Sequence, residues 1–347
     1  MKRRTFIAAL PAFAAAPSLL AASGAAKSRL GICTFSCHQH WKAVGAKHEG
    51  VKFTDALSFA RYARELGAEG VQTPLRGAKA AEMRALVESD GGYYEGELRL
   101  PKAEGELAAF ENEVRQTREA GATVARAVFT SGRRYETFKT PEEFRAFHEQ
   151  AKRTLAIIEP VLRKHQLKVA IENHKDHTTE ELVALMSGLS SEWIGVLVDT
   201  GNNLALLEEP HAVVETLAPF ALSVHLKDMA VQSSDDGFQL SEVPLGTGML
   251  DLPRIITTLH KANPALVFNL EMATRDPLRI PCLTGGYFAT FPEREATHLD
   301  AAMKLMKANP PKQPPPTVSG KATAQVLAEE ETNNRQGLAW MRKHSRS

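Results

Sequence analysis

Four short apolar runs between Lys168 and Glu271 each close on one residue able to bind a cation. They are Val-Ala-Ile-Glu172, Val-Leu-Val-Asp199, Leu-Ser-Val-His225 and Phe-Asn-Leu-Glu271. Runs of this length and β-branched content read as buried strands, and each precedes a helical stretch. In a closed barrel of parallel strands, side chains at the strand C-termini converge on one mouth, where such folds keep their chemistry. Glu172, Asp199, His225 and Glu271 there would form a divalent-metal site. Carboxylate and imidazole ligands suit Mn2+, Mg2+, Co2+ or Zn2+, and the lack of cysteine among them argues against structural zinc. A single strand-end carboxylate could merely cap the next helix. Four of them ending strands five, six, seven and eight make one geometric pattern.

Holding those residues at one mouth requires a regular scaffold, and the chain reads as one. Strand-like and helix-like segments alternate eight times. The patterning predicts a first strand over Leu30–Ser36 and an amphipathic helix over Phe53–Leu66, ending at Gly67. A short strand at Gly70–Thr73, a helix from Ala78 to Glu88, a strand at Tyr93–Leu100 and a helix from Glu104 to Ala120 follow. Val124–Phe129 is the fourth strand. Pro141 sits at a helix start, where its missing N–H does no harm, and that helix runs to His165. The later strands are Lys168–Ile171, Gly195–Val198, Leu222–Leu226 and Leu266–Leu270. Their helices open at Thr178-Thr179-Glu180-Glu181 in capping-box style, then cover Pro210–Leu217, Leu252–Lys261 and Glu293–Lys307. Met229–Gly248, rich in Ser, Asp and Gly, reads as a longer excursion after strand seven. The fold class is therefore α/β, a (β/α)8 TIM barrel over residues 29–309. An open doubly wound sheet is the rival, but no glycine-rich phosphate-binding turn follows strand one.

The flanks read differently. Lys2-Arg3-Arg4, an Ala/Leu-rich run from Phe6 to about Ala22 and small residues to Ala26 have the order of a secretory signal. Pro11 and Pro17 interrupt the apolar run, which is too short to span a membrane. Arg3-Arg4 before Thr5-Phe6-Ile7 resembles a twin-arginine signal, so residues 1–26 are expected to direct export to the periplasm or another extracytoplasmic site. An ordinary signal holding two arginines is the alternative. Pro310-Pro311-Lys312-Gln313-Pro314-Pro315-Pro316 reads as a polyproline spacer, and the polar tail to Ser347 as at most one surface helix around Ala322–Arg342 with no catalytic role. The 347 residues are 43% hydrophobic and 24% charged with a formal net charge of +1, which gives no electrostatic reason to expect nucleic acid or an anionic membrane as partner. Cys33, Cys37 and Cys282 form neither a disulfide framework nor a metal finger. Cys33 and Cys37, four apart in an extended run, would point the same way and pack.

The segments Ile171-Glu172-Asn173-His174, Val198-Asp199-Thr200-Gly201-Asn202, Val224-His225-Leu226-Lys227-Asp228, Pro244-Leu245-Gly246-Thr247-Gly248 and Leu270-Glu271 resemble the xylose-isomerase-like barrels over roughly residues 29–308. That family includes sugar isomerases, ketose 3-epimerases, hydroxypyruvate isomerases and inosose dehydratases. The resemblance implies one divalent ion, Mn2+ foremost, held by Glu172, Asp199, His225 and Glu271. It implies that Glu172 and Glu271 exchange a proton with a hydroxy-ketone from two sides, through an enediolate. The result would be epimerisation or aldose–ketose isomerisation. If a β-hydroxyl leaves, the result is a lyase or dehydratase acting on a keto-sugar. A carbohydrate-binding barrel without catalysis is the reading from another class, and the intact quartet speaks against it.

Around the quartet, His174, two residues past Glu172, is expected to touch substrate or orient a ligand. Lys227, two past His225, would set a cation near substrate oxygens. Asn202 stands where ketose 3-epimerases of the family carry a histidine that contacts substrate, which weakens the case for that one activity. Arg275 would anchor a carboxylate, phosphate or sugar hydroxyls, or else pair with Asp276. In the loop Ser36-Cys37-His38-Gln39-His40-Trp41, Trp41 with its flanking histidines is a candidate wall for a sugar ring, with His38 as a contact. His38 and His40 would alternatively suggest the three-zinc endonuclease IV branch, which neither the charge balance nor the export signal favours. The expected partners are a small-molecule carbohydrate and, at most, further copies of the chain in a homo-oligomer.

Overall fold

The computed structural model describes residues 29–75, 77–89 and 91–344; the expected export signal at 1–26 lies outside them. Among the described residues there are eleven strands: β1 (Arg29–Cys33), β2 (Gly70–Gln72), β3 (Tyr93–Glu97), β4 (Val124–Ala127), β5 (Lys168–Glu172), β6 (Ile194–Asp199), β7 (Ala221–Leu226), β8 (Asp228–Ser234), β9 (Gly237–Val243), β10 (Val267–Leu270) and β11 (Leu278–Ile280). Seven of them, β1 to β7, close with β10 into a parallel barrel in the order β1-β10-β7-β6-β5-β4-β3-β2. The helices are α1 (His38–Gly45), α2 (Ala56–Leu66), α3 (Ala80–Ser89), α4 (Leu107–Glu119), α5 (Arg134–Thr137), α6 (Pro141–His165), α7 (Thr179–Leu189), α8 (Pro210–Leu217), α9 (Leu252–Ala262), α10 (Glu293–Ala308) and α11 (Thr323–His344). This is the expected (β/α)8 TIM barrel. Among the described residues no helix is long and apolar enough to cross a membrane.

Local chemistry sets the helix starts. Thr178 accepts from the Glu181 backbone N–H while the Glu181 side chain accepts from Thr178 N–H, the reciprocal cap read from the sequence. Thr140 caps α6 in the same region where Pro141 occupies the first turn. Between the sheet and these helices lies one continuous apolar core, with Ile32, Phe59, Ile158, Val196, Phe268 and Leu338 fully enclosed.

Three elements depart from the sequence reading. The first strand stops at Cys33, and Thr34–Cys37 winds through a 3-10 turn straight into α1. Cys33 and Cys37 therefore do not share an extended run, although both are buried free thiols. The excursion after β7 is ordered: β8 and β9 form an antiparallel hairpin, turning at Asp235-Asp236-Gly237, with β11 as its third strand.

The third departure is the tail, which is no surface helix. Helix α10, expected to close the repeat, lies against β8, whereas α11 packs on β1, β10, α1 and α2, filling the eighth helical position. Its buried seam runs Val326, Leu327, Glu330, Asn334, Gly337, Leu338 and Met341. Helical spacing is intact there, but two polar residues and a glycine break up its apolar signal. The glycine is needed for closeness: a Cβ on Gly337 would stand 2.9 Å from the Leu270 side chain. Asp276 fastens the connector by accepting from the Val318 backbone N–H at 2.8 Å and that of Ser319 at 3.1 Å.

Candidate metal centre

Strand register brings the quartet to one level. Glu172 and Asp199 are the last residues of β5 and β6, His225 pairs in register with both Asp199 and Asn269, and Glu271 follows β10 directly. One ligand atom from each of Glu172, Asp199, His225 and Glu271 lies within 4.8 Å of all the others, and all four residues are buried. His225 Nδ1 stands 3.7 Å from Glu172 Oε2 and 3.8 Å from Asp199 Oδ2, and it abuts Glu271 Oε2. No hydrogen bond of normal geometry satisfies His225 Nδ1 or Asp199 Oδ2. Each is met instead by charged groups: three carboxylates around His225 Nδ1, and Lys227 Nζ beside Asp199 Oδ2.

The far side of the imidazole fixes which atom faces the cluster. Gln72 Nε2 donates to Glu95 Oε2 at 2.8 Å, so its Oε1 is the atom 2.6 Å from His225 Nε2. An acceptor there requires Nε2–H as donor and leaves Nδ1 to the carboxylates. Burial lowers the His225 pKa, and Glu271 followed by Glu172 more than reverses that. The cluster thus draws positive charge to Nδ1, and the donor set of three oxygens and one nitrogen fits a divalent cation.

Charged neighbours balance the carboxylates. Arg126 on β4 bridges Glu172 (Nε to Oε2, 2.5 Å) and Glu97 (Nη1 to Oε1, 2.7 Å). Burial alone would raise the Glu172 carboxyl, but Arg126 and then His225 hold it at about 2. Lys227 Nζ contacts Asp199 Oδ2 at 2.9 Å and Glu271 Oε1 at 2.8 Å. Against burial, Lys227 and His225 keep Glu271 well below the usual carboxylate range. Asp199, by contrast, is pushed up by burial despite Lys227. Asn202 donates from Nδ2 to Glu172 Oε1 at 2.9 Å, and its Oδ1 accepts from Lys227 at 3.1 Å and from Lys175.

Below this level the barrel interior is polar. Glu95 Oε2 accepts from Gln72, Ser223 Oγ (2.7 Å) and Asn269 Nδ2 (2.8 Å), while Tyr93 Oη donates to Asn269 Oδ1 at 3.0 Å. Gly31 makes room for it: a Cβ there would stand 2.7 Å from Asn269 Oδ1 and collide with Tyr93 Oη.

The outer candidates separate. His174 is partly buried, and burial followed by Lys175 pushes its pKa down to about 4, so its ring is neutral. Arg275 pairs with Glu242 of β9 through Nε (3.0 Å) and Nη2 (2.5 Å), not with Asp276. The hairpin was read as irregular, which hid this partner. Trp41 does not wall the mouth. Since the strand ends early, Trp41 rides on α1 and its ring packs 4.7 Å from Phe53 and 5.7 Å from Phe59. His40 turns to Glu330, and His38 stacks 4.9 Å from Phe35. Phe35, 42% exposed and 5.8 Å from the Arg275 guanidinium, is the aromatic left open beside the site.

Arg126, Gln72, Glu95, Lys175 and Glu242 are site residues that the sequence reading missed. A signal existed for three of them: Gln72, Glu95 and Arg126 are polar residues inside otherwise apolar or aromatic strands. A cleft of about 1420 Å³ opens on the β2–β4 side, lined among others by Leu75, Glu97, Arg126, Phe129, Phe138 and Phe147. None of the quartet lines it; Arg126 and Glu97 stand between the two.

The profile of a family described as xylose isomerase-like TIM barrel matches residues 60–307. Among curated proteins, a 3-oxo-isoapionate decarboxylase of Pectobacterium atrosepticum is 29% identical over 114 residues, 32% of this chain and 42% of its own length. The matched segment spans less than half the length of each of three curated relatives. Among solved structures, D-psicose 3-epimerase in the presence of D-fructose superposes with a TM-score of 0.60 at 14% identity, covering 92% of this chain and 100% of that one. A Mycobacterium smegmatis protein described as a xylose isomerase-like TIM barrel in complex with magnesium gives 0.53 at 15% identity, covering 82% and 100%. At these identities the likeness to the solved structures is one of fold.

Proposed function

The chain belongs to the xylose isomerase-like TIM barrel family, and from that premise we propose that it is a divalent-metal-dependent isomerase or epimerase of a carbohydrate or related hydroxy-ketone. The observation that carries this is the convergence of Glu172, Asp199, His225 and Glu271 within 4.8 Å in a buried cluster. A divalent ion held there, Mn2+ foremost, would supply Lewis acidity to a carbonyl and its neighbouring hydroxyl and so acidify the C–H between them.

The chain's own residues supply the rest. Glu172 and Glu271 stand at the two ends of the arc β5-β6-β7-β10, so a carbon lying over the cluster meets a carboxylate on each side. The depressed pKa values keep both ionised, the form that accepts a proton. One takes the proton from carbon, and the other can return one only after it has itself taken a proton from water or a substrate hydroxyl. Arg126 and Lys227 fix the two carboxylates, and Gln72 fixes the ring of His225. Phe35 offers an apolar face at the rim. Export, as residues 1–26 suggest, favours an unphosphorylated substrate met outside the cytoplasm. The match to a decarboxylase supports a second reading, in which the same site is a lyase on a keto-sugar: C–H deprotonation expels a β-hydroxyl as water, or C–C cleavage releases CO2 and the carbon left behind takes up a proton.

The test is solvent exchange. Protein loaded with Mn2+ is incubated with a panel of keto-sugars in D2O, and deuterium entering the carbon next to the carbonyl is read by NMR. Glu271→Gln should lower exchange at least about 100-fold. Full exchange by that variant, or failure of the wild type to bind any divalent ion, overturns the proposal. Loss of water or CO2, with no deuterium in recovered substrate, selects the second reading.

A further inference from the structure

Among the described residues, every cation around the centre but one has a carboxylate. Arg126 has Glu172 and Glu97, Lys227 has Asp199 and Glu271, and Arg275 has Glu242. Lys175 is the exception. It is 5% exposed, and its Nζ hydrogen bonds to Asn202 Oδ1, the side-chain oxygen that Lys227 also uses. Among the described residues no carboxylate pairs with it. The next residue, Asp176, turns away: its Oδ1 accepts from the His177 backbone N–H at 2.8 Å and its Oδ2 lies 3.6 Å from His177 Nδ1.

A buried ammonium without a counter-ion is costly, and it neutralises unless an anion arrives. Burial first, then Lys227 and Arg275, push Lys175 down to about 8, as that cost requires. The position is informative too. Asn202 links Lys175 to Glu172, so the unmatched charge sits one amide away from a candidate ligand of the metal. Arg275 keeps its Nη1 after Glu242 takes Nε and Nη2, and it lies beside the exposed ring of Phe35.

We propose that Lys175 anchors a carboxylate carried by the substrate, which makes the substrate class of this centre a keto-sugar acid or uronate rather than a neutral ketose. This rests on the reading of the metal centre given above. A phosphate, at about −1.5 to −2, carries more charge than one unmatched ammonium calls for.

Calorimetric binding to Mn2+-loaded wild type and Lys175→Met tests it. The probes are 2-keto- and 5-keto-D-gluconate, D-glucuronate and D-galacturonate, their neutral counterparts D-fructose, L-sorbose, D-glucose and D-galactose, and D-fructose 6-phosphate. At least one acid should bind wild type about tenfold or more tightly than its neutral counterpart. K175M should lose that preference with its Mn2+ content unchanged. No preferred acid, a preference that survives in K175M through chelation alone, or stronger binding of the phosphate overturns the proposal. Thermal unfolding gives a second readout: removing an unmatched charge should leave the ligand-free midpoint equal or higher. A fall of more than about 5 °C would make Lys175 structural and overturn its role. Deuterium exchange confined to neutral ketoses refutes Lys175 as anchor while sparing the metal centre. Absence of both metal binding and exchange refutes the centre itself.

Discussion

Replacing Glu330 by alanine should loosen two helices that lie far apart in sequence. Its carboxylate, fully buried on α11, accepts from the backbone N–H groups of Gln39 (2.8 Å) and His40 (3.0 Å) and from His40 Nδ1 (2.6 Å). Those two N–H groups belong to the first turn of α1, whose own N-cap residue Cys37 makes no side-chain cap. Glu330 therefore caps α1 from another element, with its charge at the positive end of the helix dipole. A lost cap typically costs about 1 kcal/mol, and each buried donor left unpaired about 1–3 kcal/mol. The cap already counts the two backbone donors, so adding the one that remains, His40 Nδ1, gives about 2–4 kcal/mol. Against a total of about 5–15 kcal/mol, that is a large fraction. Guanidinium unfolding followed by tryptophan fluorescence is well placed to read it, because Trp41 lies on α1 and Trp340 on α11. Amide exchange in both helices should rise together. A loss below about 1 kcal/mol, with exchange unchanged, would refute the cap.

Other outcomes follow from the same geometry. Gln72→Leu removes the acceptor on His225 Nε2 and should weaken Mn2+ binding about 10–100-fold, read by titration with a competing chelator. Gly31→Ala drives a methyl group into Tyr93 Oη and Asn269 Oδ1 and should cost about 1–3 kcal/mol in denaturant unfolding. Lys175 titrates near 8 in the folded, ligand-free protein, below its ordinary value of 10.5. Between those values the unfolded chain binds more protons, so this group makes stability rise with pH across that window. Burial is the main cause, with Lys227 and Arg275 adding to it and Asp199 and Glu242 opposing it, and K175M should flatten that part of the stability profile.

How far the sequence revealed this molecule depended on whether a residue's neighbours were local. The quartet was legible because strand period and strand end both lie within a few residues of each ligand. So was the cap at Thr178, whose partner stands three positions on. Trp41 was misplaced because nothing between Thr34 and Cys37 announces that the strand has stopped. The hairpin was legible in principle, since Asp236-Gly237 between alternating runs is a strong turn signal, yet its polar strands read as loop. Arg275 could not be understood without it, because Glu242 arrives only through that fold. Helix α11 hid its buried face behind Glu330, Asn334 and Gly337, residues that become interior only once Gln39, Ser36 and Leu270 are in place.

The position of α11 also sets an order of events. The cover of β1 and α1 lies about three hundred residues downstream, with 291 positions between Gln39 and Glu330. During synthesis the strands and their first seven helices can assemble while the seam between β10 and β1 stays bare, with Leu270 and Ile32 beside it. Covering the seam becomes a late, long-range step, the slow kind in which loop entropy is lost before contacts repay it. Until then the apolar face of β1 and β10 that α11 covers stays bare to water.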